Sequence, residues 1–119
     1  MKFHELPSKA AQVRFMKEKM ATDDLWMVRG LLTIYAHQTA DEQRNGENTI
    51  HNGVGFRSSD AQYLTSVCHN MLHKNVEAAI RNPATFNVDR YLSEKQLPIV
   101  RKKMLMYSDQ LCRIARLKK

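Results

Sequence analysis

The sequence has 119 residues, 43% hydrophobic and 26% charged, enough for one modest core and too apolar for a disordered tail. No apolar run approaches the roughly 18 residues of a membrane span. The opening MKFHELPSKAAQ lacks the apolar centre of a signal peptide, so a cytoplasmic protein with no membrane partner is expected.

The formal net charge of +7 is unevenly spread. Residues 1–21 hold five basic and two acidic groups, residues 22–49 two and five, residues 50–92 four and three, and residues 93–119 eight and two. An acidic middle and a basic end suit a molecule that meets a polyanion with one end and leaves the other free. The bland alternative is a solubility surface with a lysine-rich end. Cys68 and Cys112 match no metal-ligand spacing, and reduced, buried thiols are expected rather than a disulfide.

In chain order, residues 8–21 read as a first helix. Ser8 is its cap, and Ala10, Val13, Met16 and Met20 recur at helical spacing. Thr22-Asp23-Asp24 then supplies a cap and first-turn carboxylates for a second helix over about residues 23–44. This is the most apolar stretch of the chain. Leu25, Trp26, Met27, Val28, Leu31, Leu32, Ile34 and Tyr35 cover most of its circumference, as in a helix surrounded by others. Gly30 costs about 1 kcal/mol relative to alanine there, so close approach by a neighbouring helix is expected as compensation.

Residues 46–57, GENTIHNGVGFR, form the one glycine-rich loop. A short β-hairpin at Asn52-Gly53, with Thr49, Ile50, Val54 and Phe56 as strand residues, is the alternative there. A third helix follows from a capping box, Ser59-Asp-Ala-Gln62, with Leu64, Val67, Cys68, Met71 and Leu72 as its buried stripe. Its pattern weakens at Lys74-Asn75, resumes over Val76–Ile80 and ends at Asn82-Pro83. After a connector over 84–92, Ser93-Glu-Lys-Gln96 is a second capping box. A last helix is then traced by Leu97, Val100, Met104, Tyr107, Leu111, Ile114 and Ala115, with a kink or restart at Pro98. The expected fold is an all-α, single-domain bundle of about four helices, with residues 23–44 central and the loop exposed at one end.

The clearest functional signal lies in the last helix. At 100° per residue Lys95, Lys102, Arg113 and Arg116 fall in a narrow arc opposite the apolar stripe. A rising line of cations matches the spacing of backbone phosphates and predicts salt-sensitive binding of DNA or RNA. Asp109 lies within the arc and weakens it. Arg57, Ser58 and Ser59 precede a helix start, where free amides favour an anion, although Asp60 would repel one. No complete dinucleotide fingerprint or P-loop is present.

His69 and His73 have the i, i+4 spacing of metal ligands, and His37 and Asp41 share it. No further ligand set accompanies them, and neither a metal nor a cofactor is expected. Asp41, Glu42 and Glu47 form an acidic patch near the loop, with no motif that marks them as catalytic. Serine and threonine nucleophiles lack an elbow or triad pattern. The expected class is therefore not an enzyme.

Three segments carry a family resemblance: Trp26 to Glu42 (W-x-x-R-G-L-L-x-I-Y…Q-T-A-D-E), Asn52-Gly-Val-Gly-Phe56…Asp60-Ala61…Leu64, and Leu92-Ser-x-Lys-Gln96…Tyr107…Gln110-Leu111. Together they span roughly two-thirds of the chain. The chain resembles small, mostly uncharacterised proteins carried by phages and plasmids, and its last two segments are similar to a helical accessory region of some phage-type nucleic-acid enzymes. The resemblance implies a mobile-element protein acting near DNA or RNA, with any catalysis supplied by a partner. A second expectation is a protein-binding inhibitor of a host enzyme or defence system, using the 41–56 surface. Exposure of Phe56 and Ile50 would favour it.

Overall fold

The computed structural model describes residues 6–45 and 55–117, with side chains over 6–38 and 55–116. Within them the chain is all-α. The hairpin at Asn52-Gly53 and Glu47 lie outside the described residues, and Asp41 and Glu42 outside the described side chains.

Ser8 starts α1 (Lys9–Thr22) as its side chain allows, its Oγ accepting the Ala11 N–H at 3.1 Å. One residue then turns the chain into α2 (Asp24–Asn45). The Asp23 N–H donates to Lys19 O at 2.8 Å, closing α1. Its Oδ1 accepts the Leu25 and Trp26 N–H groups at 3.0 and 3.2 Å, opening α2.

Met27, Val28, Leu31 and Ile34 of α2 are fully buried. The helix packs against α1, α3 (Ser58–His73), α5 (Gln96–Leu105) and α6 (Ser108–Leu117), so its central place is as expected. At Gly30 a Cβ would lie 2.9 Å from Leu111 Cδ1, 3.5 Å from Met20 Sδ and 3.6 Å from Met104 Cε. Three helices close on that one position, which accounts for the glycine.

Of the two capping boxes expected from the sequence, one is corrected here. The Ser59 capping box does not form. α3 begins at Ser58 with Arg57 as its cap and no side-chain cap bond, so Ser59 already lies within the helix, and Asp60 is buried. The Ser93 box does form: the Gln96 N–H donates to Ser93 Oγ at 3.1 Å and the Ser93 N–H to Gln96 Oε1 at 3.0 Å.

The described residues hold six α-helices rather than about four, and both extra ends have local causes. At Asn75 the backbone is left-handed, φ 60°, which separates α3 from α4 (Val76–Ile80). Asparagine tolerates this conformation better than most residues. Replacing Asn75 with glycine should leave stability level or slightly raised, while Asn75→Val should cost about 1–2 kcal/mol; thermal melts of the pair check this.

The last helix is also divided, and not at Pro98. Pro98 sits in the first turn of α5, where no intrahelical partner is lost. The break comes at Met106-Tyr107, whose N–H groups bond back three residues to Lys103 O at 3.0 Å and Met104 O at 2.9 Å. This tightened turn ends α5 and carries Tyr107 inward.

Between α4 and α5 run two short 3₁₀ turns, Pro83–Thr85 and Val88–Arg90. The core is rich in methionine: Met16, Met20, Met27, Met71 and Met104 are buried, and these flexible side chains fill irregular gaps between helices. Cys68 and Cys112 are buried free thiols, and burial pushes them up to about 12 and about 11. No described helix is long and apolar enough to cross a membrane.

Candidate nucleic-acid interface

The break at Met106-Tyr107 rearranges the expected cationic arc. Lys95 and Lys102 belong to α5 and its cap, and Arg113 and Arg116 to α6. The uninterrupted 100° progression that aligned all four does not exist. Arg116 is drawn into helix packing, its Nε donating to Oε1 of the buried Gln12 of α1 at 2.9 Å. Arg113 faces Asp109 at 3.4 Å, one turn away on α6.

Lys95 and Lys102 are exposed, and among the described residues no carboxylate pairs with either. They share a face of α5 with two large exposed apolar groups, Ile99 (44%) and Met106 (53%). The spacing 95, 99, 102, 106 follows one side of a helix. That face therefore interleaves ammonium groups with apolar surface.

The other cations nearby hold the fold together. Arg101 pairs with Asp24 and donates to Met20 O at 3.2 Å, tying α5 to the α1–α2 junction. Lys103 Nζ lies 2.7 Å from Oδ1 of the buried Asp60. The Tyr107 hydroxyl donates to the other carboxylate oxygen, Oδ2, at 2.7 Å. These two bonds, Lys103 foremost, hold the Asp60 carboxyl below the usual carboxylate range against the opposing effect of burial. Burial is also the main reason that the Tyr107 hydroxyl is pushed up to about 12.

The same cluster fixes the chain entering α3. Three successive amides each donate to a side chain from elsewhere in the fold: Gly55 to Gln110 Oε1 at 2.9 Å, Phe56 to Gln38 Oε1 at 2.7 Å, and Arg57 to the Tyr107 hydroxyl at 3.0 Å. Phe56 packs edge-on against Tyr107, with ring centroids 5.9 Å apart. The Arg57 guanidinium lies over the Tyr107 ring at 5.8 Å while remaining open to solvent. Asp60, expected to repel an anion at this helix start, points instead at Lys103 and Tyr107. Arg57, Ser58 and Ser59 are left on the surface without it.

Sequence reasoning missed this cluster, although a signal for it was present. Asp60 stands one turn before Leu64, in line with Val67 and Met71, and so on the buried stripe of α3. A charge on a core stripe calls for a partner, and Tyr107 on the core stripe of the last segment needed one for its hydroxyl.

Among the described residues the histidines do not converge. His69 Nε2 lies 2.7 Å from the Tyr35 hydroxyl, with the two rings edge to face, and His73 is exposed. Among the described residues no three metal-capable groups gather. No protein-family model matches the chain, and comparison with curated proteins and with solved structures finds no match.

Proposed function

We propose that the chain is a non-catalytic nucleic-acid-binding or accessory protein of a phage or mobile element, acting in the cytoplasm. Lys95 and Lys102 carry this proposal. They are two solvent-facing ammonium groups on one helix face, with no carboxylate to neutralise them among the described residues, in a chain of net charge +7. Arg57, beside the surface hydroxyls of Ser58 and Ser59, is a second phosphate contact at the start of α3. The contribution of Arg113 is reduced by Asp109, and that of Arg116 by its bond to Gln12. Ile99 and Met106 offer apolar surface to sugars or unstacked bases between the cations.

Exposure of Phe56 and Ile50 would favour the inhibitor reading, which uses the 41–56 surface. Phe56 is partly buried against Tyr107 and the core, so it gives that reading no support, and Ile50 lies outside the described residues.

Fluorescence anisotropy with labelled single-stranded DNA, duplex DNA and RNA across a salt series tests the proposal. Binding at about 10 µM or tighter, falling steeply with salt as counterion release requires, is the expected result. Absence of binding to all three at low salt would end the proposal.

A further inference from the structure

Although central, α2 is not covered on every side. Its outward face carries Arg29, Thr33 and Ala36 at helical spacing, and a hollow lies to either side. One, of about 240 Å³, runs toward α6, where Gly30 meets Leu111, Ile114 and Ala115. The other, of about 360 Å³, runs toward α4 over Leu32, Ala36 and Ile80. Arg29 and Thr33 border both, so the two hollows adjoin along one face of α2 and together make a groove with these residues between them. From Trp26 to His37 it follows α2 for about 17 Å, or three turns.

The chemistry of the groove restricts what can fill it. Its floor is aliphatic, and its rim carries Arg29 in the middle and Arg81 at the α4 end, both exposed. Among the described residues neither pairs with a carboxylate; Glu77 is the one acidic group on the rim. A second copy of a chain with net charge +7 would approach against like-charge repulsion. A nucleic-acid strand lying in a groove gains most where aromatic faces are open to its bases. The aromatic group here, Trp26, stands edge-on to Phe15 at 5.9 Å with Lys19 Nζ 5.4 Å above its ring. Aliphatic surface framed by unneutralised arginines fits apolar side chains flanked by carboxylates.

We propose that the groove along α2 is a docking site for an acidic, amphipathic segment of a partner protein. Apolar side chains of that segment enter the two hollows, and its carboxylates meet Arg29 and Arg81. The site lies on other residues than Lys95 and Lys102, and it does not depend on nucleic-acid binding.

The test is selection of random 16-residue peptides displayed on phage against the full-length protein. Synthetic forms of the selected peptides are then measured by anisotropy. Enriched peptides should carry Asp or Glu around apolar residues at helical spacing. Arg29→Glu and Arg81→Glu should each weaken them at least tenfold, with helicity by circular dichroism retained. Lys17→Glu, an equal charge change on the exposed side of α1, should change affinity less than threefold. Ala36→Trp, which fills the groove without altering charge, should also abolish binding. The proposal is overturned if no enriched peptide responds to Arg29 or Arg81, or if Lys17→Glu weakens binding as much as they do. Oligothymidylate binding lost specifically on Arg29→Glu would assign the groove to a nucleic-acid strand. Concentration-dependent dimerisation lost on that change would assign it to a second copy.

Discussion

Replacing Tyr107 with alanine is expected to destabilise the protein by about 3–5 kcal/mol, the range for deleting a buried aromatic ring. The ring is fully buried and packs on Phe56, and its hydroxyl both donates to Asp60 and accepts the Arg57 amide. Tyr107→Phe keeps the ring and removes both bonds, so a smaller loss of about 1.5–3 kcal/mol is expected, because Asp60 is charged. Asp60→Ala should cost a similar amount, since it leaves Lys103 and the O–H donor of buried Tyr107 without their acceptor. The Tyr107→Phe and Asp60→Ala losses should not add, because both remove the same bond. Urea unfolding of the single and double variants measures this; full additivity would show that the two side chains act separately.

The pH dependence of the cluster has a definite sign at each end. The Asp60 pKa is lowered in the folded state by Lys103 and then Tyr107. Its stabilisation is therefore present above the ordinary carboxylate value near 3.8 and is lost as pH falls through the lower, folded value. The Tyr107 pKa is raised from 10.0 to about 12. Its neutral form favours folding below pH 10.0, and this contribution is lost as pH climbs toward about 12. Asp60→Asn should flatten the acid limb of the stability profile, and Tyr107→Phe the alkaline limb.

The second large effect concerns ligand binding. Lys95→Glu combined with Lys102→Glu should weaken nucleic-acid affinity by an order of magnitude or more. For duplex DNA it should also reduce the salt slope by about 2, because each phosphate contact contributes roughly 0.9. Neither side chain holds another described group in place, and a glutamate at position 95 complements the positive end of α5. Helicity should consequently be retained. Arg116→Glu is the contrasting case: losing the bond to buried Gln12 should lower stability along with affinity. Unchanged affinity and slope in the double variant would remove the α5 face as the contact surface.

Apart from the Ser59 box, the residues that cap and line the helices were legible in the sequence because their effects are local. Ser8 and the Ser93–Gln96 box act within one turn, and the apolar period of residues 25–35 marked α2 as central whatever packed against it. The glycine at position 30 even predicted the close approach that Leu111, Met20 and Met104 make.

What required the tertiary structure involves partners far apart in sequence. The stripe of α3 placed Asp60 toward the core, but its partners, Lys103 and Tyr107, lie 43 and 47 residues away. The cationic arc assumed an unbroken helix, and nothing in the local pattern marked the turn at Met106-Tyr107, where a buried tyrosine reaches the start of α3. Arg116 looked like a surface cation until Gln12, 104 residues away, was placed beside it. The groove along α2 was invisible for the same reason. Periodicity shows that a helix has apolar sides, but only the packing of α4 and α6 decides which of them remains open.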